Sequence, residues 1–218
     1  MCPVPAHKPD PKKIRPFKDG AAFEAWLKKN HDKETEVFIR MYKKSSGIPS
    51  IDWNEAVDVS LCWGWIDGVR LRGDEESFLQ RYTPRRAKSR WSQINRTRVE
   101  ALSKAGRMTP HGQRHIDAAR ADGRWDAAYP SASKIGVPDD LMAAIRAEPK
   151  ALAAFQTLNA ANRYALAYRL FHLKTGARRA ARIVEFVAML KSGKTLHPNG
   201  AVAEKPQPAR PRTKAAKR

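Results

Sequence analysis

The tryptophans of this 218-residue chain divide it into two parts. All six lie before residue 126, whereas the 54 residues from 137 to 190 contain none and include fourteen alanines. Aromatic residues favour strands, and alanine is the strongest helix former. Pro130, Gly136 and Pro138 lie between the two parts, where a turn-rich join is expected. We therefore predict an α+β domain at residues 17–129 and an all-helical C-terminal domain at residues 137–191.

Both ends of the chain are expected to lie outside these domains. Residues 1–16 contain five prolines, which exclude a helix interior or a central strand and predict a flexible lead-in. Residues 192–218 contain four more prolines, and Leu196 and Val202 are their only large aliphatic side chains. This segment buries too little apolar surface to offset its ordering entropy, so we predict a disordered basic tail.

Apolar spacing and capping residues predict a small antiparallel sheet packed with helices in the first domain. Asp19, Asp52 and Thr109 stand where helix N-caps are expected, and a further helix begins at Trp91 or Ser92. Two alternating segments around residues 73–76 predict a β-hairpin. The predicted strands are residues 36–42, 65–72 and 77–83, and the predicted helices are residues 19–30, 52–62, 91–105, 109–123, 139–147, 150–158, 160–173 and 177–191.

Basic residues are concentrated in a few segments. The chain has 42 lysines and arginines against 22 acidic residues, a net charge of +20, and residues 81–98 hold seven basic residues and no acidic one. Such a chain attracts polyanions, either nucleic acid or an anionic lipid surface. No apolar run suits a membrane span or a signal peptide, and two cysteines cannot form a disulfide framework or a four-cysteine zinc site. We therefore expect a soluble, cytoplasmic protein.

Asp67 is the first candidate site residue. In a regularly alternating strand it shares a face with the apolar side chains of Trp65, Val69 and Leu71. A carboxylate on an apolar face must be paired, hydrogen-bonded or protonated. Asp67 then either orients an arginine toward a ligand or belongs to a turn or bulge with a structural ion pair. The arginines that follow the hairpin are Arg85, Arg86 and Arg90.

The segment TPRRAKSRWSQIN at residues 83–95 is the second candidate. A helix N-terminus favours anions, arginine adds bidentate donors, serine adds hydroxyls, and an indole face can stack on a base. This pattern indicates an anion site without identifying the anion, and the alternative is a solvated basic loop with Trp91 as a core anchor. The predicted ligand-binding residues are Asp67, Arg85, Arg86, Ser89, Arg90, Trp91, Ser92 and Asn95.

The remaining candidates favour structural roles. Cys62 lies between Leu61 and Trp63 in a predicted helix, where a buried thiol is expected rather than a nucleophile. His111 and His115 have the i, i+4 spacing of metal ligands, but the segment lacks the glutamate of a zinc peptidase helix. We therefore predict no catalytic residue, no metal and no cofactor.

Two longer motifs resemble those of a known family. LCWGWIDG at residues 61–68 and YTPRRAKSRWSQIN at residues 82–95 resemble conserved patterns of the YdeI/OmpD-associated family, also called bacteriocin-protection proteins. Phe23, Trp26 and Leu27, together with VPDDL at residues 137–141, extend the resemblance over about residues 17–193. The resemblance implies a role in protection against bacteriocins and cationic peptides and a YjbR/CyaY-like α+β fold. It identifies no catalytic residue.

Three functions are compatible with these features. A binding protein would take a phosphate-bearing ligand in a cleft formed by Asp67 and the arginine-rich segment, while its tail binds nucleic acid non-specifically. An enzyme, a hydrolase or transferase, would act on an anionic substrate in the same cleft, with Asp67 as base or orienting group, Ser89 or Ser92 as the hydroxyl and the three arginines stabilising charge. It would need His31, His111 or His115 close in space to activate the serine. A stress-protection protein would contact anionic lipid through the tail. We favour the first function, with nucleic acid bound by Lys205, Arg210, Arg212, Lys214, Lys217 and Arg218.

Overall fold

Eight α-helices and four strands form within residues 9–173 and 176–199, the part of the chain that the computed structural model describes. They divide into an N-terminal unit that ends at Ser131 and a C-terminal unit that begins at Ala132. The predicted α+β class is confirmed. The N-terminal unit contains β1 (Ile14–Pro16), α1 (Gly20–Asn30), β2 (Val37–Tyr42), α2 (Trp53–Cys62), β3 (Trp65–Arg72), β4 (Ser77–Pro84), α3 (Gln93–Lys104) and α4 (Pro110–Ala121).

The N-terminal unit is built on a four-stranded sheet with the order β1-β2-β4-β3. The predicted hairpin of β3 and β4 is confirmed, and β2 is the other antiparallel neighbour of β4. β1 pairs with β2 in parallel, so the sheet is mixed rather than wholly antiparallel as expected. The sequence pattern missed β1 because three residues that include a proline show no alternation.

Part of the predicted flexible lead-in belongs to the folded unit. Asp10 caps a 3₁₀ turn at Pro11–Lys13, and β1 follows directly. The prolines are compatible with this structure because Pro11 stands where a turn needs no N–H and Pro16 lies on an edge strand. Residues 1–8 lie outside the described part of the chain.

The predicted N-cap residues Asp19, Asp52 and Thr109 cap the N-termini of α1, α2 and α4. The side chain of Asp19 accepts a hydrogen bond from Ala22 N at 2.8 Å, and that of Asp52 accepts one from Glu55 N at 2.9 Å. Thr109 caps α4 in the same way. Because such a cap contributes about 1 kcal/mol through contacts within four residues, these helix starts could be predicted from the sequence.

One face of the sheet and the helices enclose the core of this unit. Val37, Ile39 and Met41 of β2 belong to it, and Phe23 and Leu27 of α1 pack into the same cluster. Further buried members come from α2, β3, β4, α3 and α4: Val57, Leu61, Trp65, Tyr82, Val99 and Ile116.

The C-terminus of α2 meets the N-terminus of α4 very closely. Gly64 follows α2 with a φ of +73°, and a Cβ there would lie 2.7 Å from the carbonyl oxygen of His111. Thr109 donates from its amide and its hydroxyl to the carbonyl oxygen of Cys62, at 3.2 and 2.6 Å. Gly112 has no room for a Cβ, which would contact the carbonyl oxygens of Leu61 and Cys62.

The described residues of the C-terminal unit form four helices, as predicted: α5 (Asp139–Arg146), α6 (Pro149–Gln156), α7 (Ala160–Phe171) and α8 (Ala177–Lys191). Its core includes Leu141, Phe155 and Leu166, and the predicted apolar stripe of α8 supplies Phe186 and Leu190. Arg179 of α8 connects this helix to two others. It donates to Leu170 O at 2.8 Å and to Leu173 O at 2.6 Å, at the end of α7, and it forms an ion pair with Asp140 of α5. This arginine therefore satisfies carbonyls at the end of α7.

Residues 192–199 pack on the C-terminal unit instead of belonging to a disordered tail. Leu196 contacts the apolar core. The side chain of Asn162 accepts a hydrogen bond from His197 N at 2.9 Å, and the side chain of Asn199 accepts one from Asn159 N at 2.8 Å. The prediction missed this because the asparagines that hold the segment lie about 40 residues earlier. Residues 200–218, with all six predicted nucleic-acid-binding residues, lie outside the described part.

None of the described helices is long and apolar enough to cross a membrane.

We predict that Gly112→Ala destabilises the N-terminal unit despite the better helix propensity of alanine. The added Cβ would lie 2.7 Å from Leu61 O, a backbone atom that cannot move alone, and such overpacking costs roughly 1–3 kcal/mol. Thermal unfolding followed by circular dichroism measures the effect. Gly136→Ala is the control, because nothing lies within 4 Å of a Cβ there. An unchanged melting temperature for Gly112→Ala would contradict the close packing of α2 and α4.

Candidate functional site

Arg85 lies inside the protein rather than at an open cleft. The residue is only 5% exposed, and its guanidinium lies 3.8 Å from the centre of the Trp91 ring. It donates to the carbonyl oxygen of Arg90 at 2.8 Å, and its amide donates to that of Gly64 at 2.9 Å. Burial lowers the pKa of Arg85 to about 10, and the nearby charge of Arg124 acts in the same direction. Arg85 therefore supports the loop after β4.

The serines expected to bind an anion hold the backbone instead. Ser89 Oγ accepts a hydrogen bond from Arg86 N at 2.9 Å, and Ser92 Oγ accepts one from Asn95 N at 3.1 Å. The amide of Gln93 donates to Tyr129 O at 2.9 Å. The N-terminus of α3 is thus closed by its own cap and by a neighbouring carbonyl, which occupy the amides of Asn95 and Gln93.

Trp91 is a core anchor, the alternative that the sequence left open. It is 2% exposed and packs edge-to-face on Trp125 with ring centres 5.1 Å apart. Its indole nitrogen has no hydrogen-bond partner among the described residues. A ring so enclosed offers no face for a stacked base.

Asp67 lies on the helix-facing side of the sheet, opposite Tyr82. The register shifts between Asp67 and Arg70, so Leu71 pairs with Leu79 on the other face. The expected shared face of Asp67 with Val69 and Leu71 therefore does not form. Burial raises the pKa of Asp67, and a backbone amide, the Trp53 side chain and the charges of Arg85 and Arg98 offset only part of that effect.

The predicted residues do not line one common cleft. Asp67, Arg85, Trp91 and Ser92 face the interior or the backbone, whereas Arg86 and Arg90 are exposed. Only Arg86 of the eight predicted residues lines the cavity described next.

An open cavity of about 710 Å³ lies at the end of α1 and the end of β4. The turn after α1 supplies one wall, β4 and the residues after it supply another, and α4 contributes Arg114. The lining residues are His31, Asp32, Lys33, Glu34, Thr35, Glu36, Arg81, Thr83, Pro84, Arg86 and Arg114. No sequence pattern indicates Lys33, Thr35 or Arg114, because these residues come together only through the fold.

The charges of the cavity fall into two groups. Glu36 accepts from Arg81 at 2.7 Å and Lys13 at 3.4 Å; burial opposes its charge, but these cations outweigh burial and lower its pKa. Lys33, Arg86 and Arg114 make no ion pair within the described residues. The second group consists of these three cations together with Asp32 and Glu34, which also line the cavity, and its net charge is therefore +1.

Two histidines meet beside the cavity. His31 Nε2 lies 3.1 Å from His111 Nδ1, and His111 stacks on Trp63 with ring centres 5.6 Å apart. Burial lowers the pKa of His111, and the nearby His31 and Arg114 lower it further. The enzyme alternative needs His31, His111 or His115 beside Ser89 or Ser92. Within the described residues the ring nitrogens of His31 contact Leu27 O and His111, and no hydrogen bond joins His115 to either serine. No group of three or more His, Cys, Asp or Glu residues in that part of the chain is placed to hold a metal ion.

Two family models match separate parts of the chain. A model described as a domain of unknown function, DUF8412, matches residues 15–115 in the N-terminal unit. A model described as "Bacteriocin-protection, YdeI or OmpD-Associated" matches residues 134–193 in the C-terminal unit. The predicted resemblance is therefore supported for the C-terminal unit, whereas the motifs at residues 61–68 and 82–95 fall in the match of unknown function. The YjbR/CyaY-like relationship stays a prediction.

No curated protein and no solved structure matches the chain. The C-terminal match indicates a bacteriocin-protection-type domain and describes no reaction.

We predict that Asp67→Asn increases the stability of the protein at pH 7. Because the folded state raises the pKa of this carboxyl, the free energy of unfolding falls as pH rises from the unfolded pKa of about 3.9 through the folded value. The amide removes that cost, so parent and variant should converge below about pH 4. Urea unfolding at several pH values measures the difference.

Asp58→Asn is the matched control for this prediction. Asp58 pairs with Arg98 at 2.8 Å, so its neutralisation should lower stability at pH 7. A loss of stability in Asp67→Asn at neutral pH would show that Asp67 acts as an ion-pair partner after all.

Proposed function

We propose that this protein is a bacteriocin-protection-type protein that binds a phosphate-bearing small molecule without chemical turnover. The observation that carries the proposal is the open cavity whose wall holds Lys33, Arg86 and Arg114 outside any described ion pair. The proposed anion site is this cavity rather than the start of α3, and Arg86 is the predicted ligand-binding residue that lines it. The cytoplasmic location expected from the sequence stays a prediction.

The size of the cavity supports a small ligand. Its volume of about 710 Å³ falls within the roughly 300–1,000 Å³ of ligand pockets. Two guanidinium groups offer fixed pairs of donors to phosphate oxygens, and Lys33 adds a point charge. The hydroxyls of Thr35 and Thr83 stand on the same walls as further donors. These groups favour an oxyanion over a neutral ligand.

Ion pairs hold the Glu36 side chain in place on the wall of the cavity. Glu36 is held by Arg81 and Lys13, which come from different strands or turns of the unit. A carboxylate so neutralised repels an anion less than an unpaired carboxylate would. Asp32 and Glu34 remain on the wall and limit the excess positive charge, which favours a compact phosphate group over an extended polyanion.

We predict that Arg86→Ala and Arg114→Ala each weaken pyrophosphate binding to the full chain by about tenfold or more. A hydrogen bond to a charged group contributes roughly 1.5–3 kcal/mol, and about 1.4 kcal/mol corresponds to tenfold in affinity. Isothermal titration calorimetry with inorganic pyrophosphate gives the dissociation constants.

Lys88→Ala is the control, since it removes the same charge from the exposed loop that also holds Arg86, and Lys88 does not line the cavity. An equal loss in all three variants would indicate attraction by net charge and refute a defined site. Absence of pyrophosphate binding by the parent protein would also refute it.

We propose a second, separate activity for the C-terminal residues: non-specific binding of nucleic acid. The support is compositional, because residues 200–218 contain six basic residues and a single acidic one. Several lysines and arginines in a short segment bind phosphates by releasing counterions, and such binding weakens steeply with salt.

We predict that replacing Lys205, Arg210, Arg212, Lys214, Lys217 and Arg218 with serine lowers DNA affinity at low salt and flattens its dependence on salt. The slope of log affinity against log salt should decrease in magnitude by about 0.9 for each phosphate that the variant no longer neutralises. Fluorescence anisotropy with duplex DNA at several salt concentrations measures both quantities. Substitution is preferable to truncation at residue 190, because residues 192–199 pack on the C-terminal unit. An unchanged slope would assign DNA binding to another surface.

A further inference from the structure

An apolar groove of about 300 Å³ lies on the C-terminal unit, along α8 and beside the end of α5. Ile183 and Val187, which are half-buried, line it together with Val184. Val184 is 68% exposed, more than any other large apolar side chain among the described residues. An apolar groove beside an exposed branched side chain is typical of a surface that another helix covers.

The exposed face of α8 extends the apolar surface toward the N-terminus of the helix. Ala177, Ala181, Val184 and Ala188 are all exposed and follow one another at intervals of four, three and four residues. This is the heptad spacing of the line along which two helices pack, and small side chains let the helix axes approach closely. At a rise of 1.5 Å per residue the line is about 17 Å long.

We propose that the groove binds the N-terminal half of α8 from a second copy of this chain, so that two copies pair through antiparallel α8 helices. Val184 of each copy then packs against Ala181 of the other copy, and Ala188 packs against Ala177. A two-fold axis makes the contact self-complementary, because each copy supplies both the groove and the helix half that fills it.

The charges beside this line favour the antiparallel pairing. Arg178 and Glu185 flank the line on one side of α8 at heptad spacing. In an antiparallel pair these flanking sides face each other, so Arg178 of one copy lies near Glu185 of the second copy. The Glu185 side chain is 51% exposed, although it pairs with Arg182 of its own helix at 3.0 Å. A symmetric dimer contains this intermolecular pair twice.

The other arrangements of two α8 helices bring like charges together. A parallel pair would place Lys191 of one copy against Lys191 of the other, and it would leave Arg178 and Glu185 facing uncharged residues. An antiparallel pair shifted by one heptad would bring either two Glu185 or two Arg178 side chains together. Like charges so placed oppose association. The charges therefore select one register as well as one orientation.

The proposed dimer is weak and depends on salt. The contact is short compared with the roughly 800 Å² per partner of a standard interface. Each chain carries a net charge of +20, so two copies repel each other at low salt. At physiological ionic strength charges more than about 8 Å apart are largely screened, whereas apolar contact is retained. We therefore expect a monomer–dimer equilibrium that shifts toward the dimer when salt rises from low to physiological concentration.

Sedimentation velocity of the full chain, from low micromolar to several hundred micromolar protein in physiological salt, tests the dimer. Val184→Glu should weaken dimerisation about tenfold or more, because each dimer would lose two apolar contacts and bury two carboxylates. Val69→Glu is the matched control, since Val69 is 44% exposed and lies in the N-terminal unit. A parent protein that stays monomeric throughout, or an equal effect of both variants, would overturn the proposal.

Charge reversal tests the antiparallel register. Arg178→Glu and Glu185→Arg should each weaken the dimer roughly threefold or more, because the exposed pair occurs twice. The double variant exchanges the two charges and should restore the parental dissociation constant. A double variant that dimerises no better than the single variants would exclude this register and refute the proposed contact.

Discussion

The turn at Gly64 is the constraint on which the N-terminal unit depends. Its positive φ lets the chain leave α2 and enter β3 at once, and its missing Cβ leaves room for the first turn of α4. Its carbonyl oxygen accepts the amide of Arg85, so the loop after β4 is anchored to the same point. Since α4 carries His111 and Arg114 and the loop carries Arg86, this turn positions both the cavity and the histidine pair. The motif at residues 61–68 is therefore best explained as a scaffold.

The helices and most strands could be predicted because their limits depend on local signals. Asp19, Asp52, Ser92 and Thr109 each accept a hydrogen bond from an amide three residues later, which a sequence pattern contains in full. The parallel strand β1 and the packed residues 192–199 could not be predicted, because distant partners hold them. The sequence leaves a bulge after Asp67 as one of two alternatives, because pairing with β4 rather than the local residues decides between them.

The candidate site could not be predicted because residues of the same type in one loop point in different directions. Arg85 and Arg86 are adjacent, yet the first lies over the Trp91 ring and the second is exposed at the cavity. Arginine, serine and tryptophan before a helix provide donors and an aromatic face both in a ligand site and in a purely structural loop. Whether these donors bind a ligand or the backbone depends on tertiary contacts, here the carbonyls of Arg90 and Gly64. Of the predicted residues, Arg86 is the one that lines the cavity.

The sequence of the basic segment at residues 81–98 likewise does not show which of its positive charges are available to a ligand. Four of its seven cations are held within the unit: Arg81 by Glu36, Arg85 by Arg90 O, Arg96 by Trp125 O and Arg98 by Asp58. Arg86, Lys88 and Arg90 remain exposed. Three surface cations attract a polyanion far less than seven, because each phosphate contact adds separately to the salt-dependent affinity. For this reason the proposed polyanion binding is assigned to the basic C-terminal residues, and the proposed ligand of the cavity at Arg86 is a small anion.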